Sequence, residues 1–311
     1  MEDQQPRIGR LPAVSRMCVG CTLIIGRDED LCCRLVREQL ASLRRRVVYL
    51  QEDKLFPGLR FTWELRDGAF SGALELAGQA VEFDQIHGVL ARFSGIATSP
   101  EDFQTKDGRY LSSEWHALTR GFIQSLSCPV VNRPGPELWY RSALRAPELV
   151  SLVPDLTFRL PRTMVATCFE EARRFFDLAG GRIYYSPLTV PSDYLIATER
   201  AMQKLEPLSE VLPLHLSEVI AGEPVDAYVV GTHVVFDGVS HTTIGTHCQA
   251  VAESLGLTLC HLRIVLTAAG EWYCMSVNGT PTLFECSEEA RNAIVGHLVE
   301  ILSSETQSGA A

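Results

Sequence analysis

The 311-residue sequence has no apolar run of the ~20 residues that a helix needs to cross a bilayer. Its first residues, MEDQQPRIGRLPAVSR, lack the apolar segment of a secretion signal. We therefore expect a cytoplasmic protein. The 46% hydrophobic and 21% charged composition is that of an ordinary globular protein, and the length allows two or three domains.

The sequence also lacks an excess of positive charge, because 28 Lys and Arg residues stand against 38 Asp and Glu residues, a net charge of −10. Nucleic-acid-binding proteins normally carry a basic surface that neutralises phosphates. The one dense basic run, Arg44-Arg45-Arg46, is interpreted as the end of a helix, where cations interact favourably with the helix dipole. We expect no nucleic-acid partner, whereas a peptide or protein partner with basic segments is compatible with this charge.

Common metal and hydrolase motifs are absent as well. Cys18 and Cys21 form a C-x-x-C without a second pair, and most of the ten cysteines lie in apolar segments, where a thiol behaves as a small hydrophobe. His241, His247 and Cys248 are close in sequence, but loop histidines are common without a metal. Neither G-x-S-x-G nor H-E-x-x-H occurs. We therefore expect reduced, structural cysteines and no metal site.

The pattern of the first half predicts an open, mostly parallel α/β domain. A short buried strand at 22–26, a helix with Asp28 as N-cap that ends near Leu43, and a strand at 47–50 form a βαβ unit. The segments that follow are a hairpin made by FTWEL and GALEL, a strand at 86–93, a helix at about 111–126 and the strand CPVVN at 128–132.

The second half predicts an α+β arrangement. Its expected helices lie at 137–152, in CFEEARRFFDLAG, at about 246–256 and at about 287–302. Its expected strands are LPRTMVAT, RIYYSPL, HLSEVIAG, two strands of VDAYVVGTHVVFDG joined by Gly231-Thr232, and the hairpin 257–277 that turns at Ala268-Ala269-Gly270. Residues 1–16 are expected to be flexible and the tail 304–311 disordered.

Taken in order, six segments resemble the ATP-grasp superfamily, in particular its branch of ribosomal-protein glutamate ligases and graspetide-type ligases of ribosomally made peptides. The segments are SEWHALTRGFIQSLSCPVVNRPGPELWYR, LPRTMVAT, GRIYYSPL, LPLHLSEVIAG, VDAYVVGTHVVF and GEWYCMSVNGTP. The resemblance implies an ATP-grasp fold with a pre-grasp domain (17–133), a linker helix and central domain (134–210) and a C-terminal domain (211–303). ATP would lie between the last two domains.

The resemblance also implies residues that hold ATP and magnesium, and here this sequence departs from the family. The family's two magnesium-binding carboxylates fall at Arg263 and Ser276, and its phosphate-binding cations fall at Ser186 and Ala227. A further lysine position holds Arg145, and only Glu218 and Asn278 keep the family residue. Glu285 and Glu288 offer no replacement, because acidic residues at the start of a helix cap it without a metal.

These losses lead to the hypothesis of a pseudoenzyme that binds a precursor (leader) peptide, assists maturation enzymes and forms a dimer. No cofactor is expected in that case. Candidate peptide-binding residues are Arg173, Arg174, Phe175 and Phe176, although an ordinary amphipathic helix explains the same pattern. Two alternatives stay open: an active ATP-dependent carboxylate–amine ligase with a rewired site that uses ATP and magnesium, and a structural subunit of a biosynthetic complex.

Overall fold

A computed structural model gives the structure of residues 20–52, 59–76, 78–92, 105–135, 143–188, 192–239 and 241–304. Nearly all of the predicted flexible N-terminus and tail therefore lie outside the described residues, as does Cys18. None of the described helices is both long and apolar enough to cross a membrane.

The described part of the chain forms sixteen strands and eight α-helices. The strands are β1 (Cys21–Gly26), β2 (Arg46–Gln51), β3 (Leu59–Arg66), β4 (Ala69–Leu76), β5 (Gln79–Glu82), β6 (Ile86–Ala91), β7 (Val130–Val131), β8 (Ala143–Leu144), β9 (Thr163–Ala166), β10 (Ile183–Tyr185), β11 (Tyr194–Ile196), β12 (Leu214–Glu218), β13 (Glu223–Val230), β14 (His233–Asp237), β15 (Leu259–Leu266) and β16 (Trp272–Asn278). The helices are α1 (Leu31–Ser42), α2 (Lys106–Ser125), α3 (Ala146–Leu152), α4 (Phe169–Leu178), α5 (Glu199–Gln203), α6 (Glu206–Ser209), α7 (Thr242–Ser254) and α8 (Glu288–Ser303).

The N-terminal sheet is parallel, with strand order β2-β1-β6-β7, as the βαβ pattern predicts. The predicted helix cap was wrong by two residues: the Asp30 carboxylate, not that of Asp28, accepts hydrogen bonds from the backbone N–H groups of Cys32 and Cys33. The basic run also lies outside the helix, since α1 ends at Ser42 and Arg44 already has a left-handed backbone, with φ 56°.

A separate antiparallel sheet of β3, β4 and β5 contains the predicted hairpin. Its inward residues Leu59, Leu74 and Val81 pack with Phe122 of α2 against the N-terminal sheet. This core makes the first half of the chain one packed unit.

The predicted helix over 137–152 is shorter in the structure, and residues 136–142 lie outside the described part. Residues 143–144 form β8, which pairs with the end of β16. The helix α3 begins at Ala146 with Pro147 in its first turn, the position where a residue without an N–H group fits best. The Glu148 carboxylate accepts a hydrogen bond from the Arg145 N–H, 2.9 Å away, and closes this end.

Two antiparallel sheets form the second half. The central sheet has the order β11-β10-β12-β9, and α4 covers one of its faces. The C-terminal sheet has the order β14-β13-β15-β16-β8, with α7 on one face. Helix α8 packs against the other face of this sheet and against α1 and β6 of the N-terminal sheet, so it joins the two halves.

Candidate functional site

The late hairpin brings two predicted positions together. Arg263 on β15 lies opposite Ser276 on β16, and His261 lies opposite Asn278. Side chains alternate between the faces of a strand, so these four residues share one face of the C-terminal sheet. All four line one small cavity, together with Ala143, Arg145, Asp193, Thr280, Thr282 and Glu285.

An ion-pair cluster around Asp193 lies at this cavity. One oxygen of the Asp193 carboxylate accepts hydrogen bonds from Nη1 of Arg145 and Oγ of Ser186, each at 2.6 Å. The other oxygen accepts from Nη1 of Arg263 at 2.9 Å. One carboxylate therefore binds two guanidinium groups and a hydroxyl group, and we call these four residues the Asp193 cluster.

The Asp193 cluster connects the two sheets of the second half. Ser186 directly follows β10 and Asp193 directly precedes β11, both in the central sheet. Arg145 directly follows β8, and Arg263 lies on β15, both in the C-terminal sheet. The cluster is therefore a set of contacts across the cleft between the sheets, and it includes three of the seven positions singled out from the sequence.

Burial differs among the members of the Asp193 cluster. Ser186 is fully buried, the Arg145 side chain is 9% exposed and the Asp193 side chain is 18% exposed. The Arg263 side chain is 42% exposed. The pair of Arg145 with Asp193 is thus largely desolvated, whereas the pair of Arg263 with Asp193 faces water.

A second polar group lies beside the cluster. Nε2 of His261 is 2.7 Å from Oδ1 of Asp226, and the Tyr228 ring stacks on the His261 ring at 4.5 Å between centroids. The hydrogen bond with His261 lowers the pKa of Asp226, with a further contribution from the positive charge of Arg263. Asp226 therefore stays ionised on the face where the family's phosphate-binding cations are expected.

The structure corrects the position assigned to Ala227. Ala227 pairs with Leu262 and is fully buried in the core under α7, so it lies on the sheet face away from the cavity. Asp226, one residue earlier, pairs with Arg263 and lies on the cavity side. Because side chains alternate along a strand, an alignment shift of one residue exchanges the two faces.

Glu218 and Asn278, the two residues that the resemblance implies are retained, each accept a hydrogen bond from a backbone N–H group. Oε1 of Glu218 accepts from the backbone N–H of Arg162 at 2.8 Å, and Glu218 does not line the cavity. Oδ1 of Asn278 accepts from the backbone N–H of Thr280 at 2.9 Å, although Asn278 does line the cavity.

Glu285 departs from its expected place. The helix α8 begins at Glu288, so Glu285 lies ahead of it in the chain. There Glu285 is exposed and lines the cavity. Its carboxylate is thus part of the candidate site. Glu288 lies in the first turn of α8 as predicted, but the Ser287 hydroxyl caps the helix by accepting from the Ala290 N–H.

The candidate peptide-binding helix is an ordinary amphipathic helix. Phe175 and Phe176 are each only 3% exposed and pack into the core of the central sheet, so the prediction that they offer an apolar anchor was wrong. Arg173 binds Asp177 and Glu199, and Arg174 binds Glu171. A peptide would have to displace these carboxylates.

Sequence reasoning missed Asp193 and His261. Asp193 lies in the segment PSDYLI, whose Pro-Ser-Asp stretch is typical of a loop, and no spacing connects it to Arg145 or Arg263. The alternation of β15 could have identified His261, since it is two residues before Arg263 and so lies on the same face.

Comparisons with known proteins identify the fold of the chain. No family model matches the sequence, and no curated protein matches it. An ATP-grasp ligase associated with ribosomally made peptides from Chryseobacterium gregarium, solved with ADP and leader and core peptides, is 16% identical at a TM-score of 0.72 over 91% of this chain and 96% of that one.

Two further solved structures have a similar fold. The macrocyclase MdnC from Microcystis aeruginosa, bound to the precursor peptide MdnA, is 16% identical at a TM-score of 0.71, over 90% of this chain and 99% of that one. A RimK-domain ATP-grasp protein from Sphaerobacter thermophilus is 15% identical at a TM-score of 0.59, over 92% of this chain and 100% of that one. The chain therefore has the ATP-grasp fold over nearly its whole length.

Proposed function

We propose that the protein is a catalytically degenerate member of the ATP-grasp fold that binds a precursor peptide and assists the enzymes that mature it. The Chryseobacterium ligase and the Microcystis macrocyclase share its fold and were solved with such peptides. The observation that carries the proposal is the Asp193 cluster, because it bridges the cleft in which the family binds the phosphates of ATP.

Both arginines of the Asp193 cluster are already paired with a carboxylate. A bound phosphate would compete with the Asp193 carboxylate for both Arg145 and Arg263. The chain contains only three lysines, Lys54, Lys106 and Lys204, and among the described residues no lysine lines the cavity. Cations that stabilise a transferred phosphoryl group are therefore either paired already or absent from the described part of the cleft.

The charge of Arg263 and the volume of the cavity also disfavour a magnesium nucleotide. Arg263, in place of a metal-binding carboxylate, would repel Mg²⁺ by at least ~1 kcal/mol per unit charge at ~4 Å, even with the screening of water. Ser276 opposite Arg263 adds no charge. The cavity has a volume of about 90 Å³. Sites for ligands of drug size usually have about 300–1,000 Å³, so the smaller volume supports a cleft that holds no magnesium nucleotide.

The edges of the central sheet are the proposed peptide-binding surface. Strands β9 and β11 are the edges of the central sheet, and an extended peptide adds readily to such an edge. Val165 on β9 and Tyr194 and Leu195 on β11 are each about half exposed. These side chains offer the apolar contacts that α4 does not, so the edges replace α4 as the peptide-binding surface of the proposal.

A titration of the purified protein with fluorescently labelled precursor peptides, of the kind bound in the Chryseobacterium and Microcystis structures, tests the peptide site. We expect saturable binding that Val165→Asp or Leu195→Asp weakens at least tenfold. Val211→Asp is the matched control, because Val211 is 77% exposed and lies outside both edge strands. No binding at tens of micromolar would contradict the proposal.

The proposal includes a homodimer and contact with maturation enzymes. Light scattering of the protein alone, and again with its pathway enzymes, measures both. A monomer under all conditions would remove the dimer from the proposal, and binding to the enzymes without binding to the peptide would favour a structural subunit.

An active ligase with a rewired site is the second candidate. Asp193, Glu285 and Asn278 all line the cavity, and carboxylate and amide oxygens are the ligands that Mg²⁺ prefers. This candidate predicts that millimolar ATP with Mg²⁺ raises the melting temperature, since a ligand of the native state stabilises it. It also predicts ADP release in the presence of the precursor. We expect neither result.

A further inference from the structure

We infer that His233, His297 and Glu300 form a surface site for a divalent transition-metal ion of the zinc class. One potential ligand atom from each residue lies within 4.8 Å of the other two. The site is separate from the Asp193 cluster and does not depend on the proposed peptide function.

Two elements hold the three side chains. His233 is the first residue of β14, and His297 and Glu300 are three residues apart on α8, where they face the same side of the helix. The turn before β14 lies close to α8, because a Cβ atom added to Gly231 would be 2.9 Å from Cδ1 of Ile301. Glycine at this position lets the turn approach the helix and bring His233 to His297.

The two histidine rings are already arranged face to face. Their centroids are 3.9 Å apart and their planes differ by 5°. The stack brings the two side chains together on the surface, and imidazole nitrogen is a common ligand of zinc-class ions.

The spacing of the ligands is close to what a tetrahedral ion needs. Zinc bonds of ~2.1 Å place neighbouring ligand atoms about 3.4 Å apart. Nδ1 of His297 lies 3.1 Å from Oε2 of Glu300, already near this value. A metal ion bound there would replace the proton that these two atoms share. His233 is exposed, so a change of its side-chain rotamer can bring its nitrogen nearer without disturbing the core.

The ligand types indicate which ions would bind. Two imidazoles and one carboxylate suit Zn²⁺, Ni²⁺ or Cu²⁺, whereas Mg²⁺ and Ca²⁺ prefer sites made of oxygen atoms alone. Three protein ligands leave a fourth position for water. A bound ion would connect the β13–β14 hairpin to α8, the helix that joins the two halves of the chain.

Zinc titration of the full-length protein, prepared without an affinity tag and treated with EDTA, tests the inference. We expect one Zn²⁺ per chain by calorimetry and a higher melting temperature with Zn²⁺ but not with Mg²⁺. The variants His233→Gln and Glu300→Gln should each weaken binding about tenfold or more, because even the loss of a partner that only orients a metal ligand costs about 10–100-fold.

His247→Gln and Glu253→Gln are matched controls, because both residues lie on α7, which packs on the face of the C-terminal sheet opposite to α8. Both variants should bind zinc like the wild type. Co²⁺ should give the intense visible absorption of a four-coordinate ion in the wild type and not in His233→Gln. Zinc binding that His233→Gln and Glu300→Gln leave unchanged would overturn the inference. The absence of saturable binding and of a rise in melting temperature at about 100 μM Zn²⁺ would also overturn it.

Discussion

Replacing Asp193 with asparagine tests the role of the Asp193 cluster most directly. The variant keeps the shape of the side chain and an oxygen that accepts from Ser186, but it removes the charge between Arg145 and Arg263. Because the Arg145 side chain is only 9% exposed, it would be left as a nearly buried, unpaired charge. Breaking a buried pair from one side costs about 3–5 kcal/mol.

Arg263 adds little to this estimate. Its side chain is 42% exposed, and exposed ion pairs contribute about 0–1 kcal/mol. Asparagine also keeps one hydrogen bond of the cluster. We therefore expect Asp193→Asn to lower the unfolding free energy of the central sheet by about 3 kcal/mol, and Arg263→Ala, the matched control, to lower it by at most about 1 kcal/mol.

Native-state hydrogen exchange of the β10 and β12 amides measures these values. A chain with four sheets is not expected to unfold in one step. Hydrogen exchange reports the free energy of opening of each local unit. Sulfate should restore part of the loss in Asp193→Asn by binding between the two arginines, and comparison with the wild type removes its general stabilising effect. Equal losses in the two variants, or a loss below about 1 kcal/mol in Asp193→Asn, would refute this reasoning.

Three further predictions concern other parts of the structure. Asn132→Ala should destabilise the contact between the two halves by about 2–4 kcal/mol in urea unfolding, because the Asn132 amide makes hydrogen bonds to Thr258, to both backbone groups of Leu259 and to Gly279; an unchanged midpoint would contradict it. The lowered pKa of Asp226 predicts a stabilisation that is complete above its ordinary value of 3.8 and is lost as the pH falls through the lowered value, so melting temperatures of wild type and Asp226→Asn should converge only in acid. Among the nine described cysteines Cys168 alone is exposed, so peptide mapping after brief alkylation should find it modified well before the other eight.

Much of the fold follows from local patterns. The period of apolar residues and the positions of glycine and proline predict the βαβ unit, the hairpin of β3 and β4, and the strands joined by Gly231-Thr232, all of which the structure contains. Boundaries were less accurate, as at Asp30, because the cap depends on which carboxylate reaches the backbone N–H groups and several acidic residues are adjacent there.

The pairing of Arg263 with Ser276 across the hairpin could not be predicted from such patterns. The sequence predicts a hairpin, but regular pairing from Ile264 and Cys274 would place residue 275 opposite Arg263. A bulge in β16 shifts the register by one residue, and only this shift brings Ser276 opposite Arg263 on the cavity face. The sequence prediction about these two positions therefore depended on a feature that the sequence does not show.

The amino-acid sequence by itself determined the order of the elements, and with it the resemblance to the ATP-grasp fold, because helix and strand periods are properties of neighbouring residues. The residue types at the metal and phosphate positions that the resemblance implies stay a prediction from the sequence. The tertiary structure alone decided that Asp193 binds Arg145 and Arg263, which are 48 and 70 positions away, and that His233 meets His297 and Glu300. Contacts over such separations arise from how the sheets and helices pack, and they leave no period in the sequence.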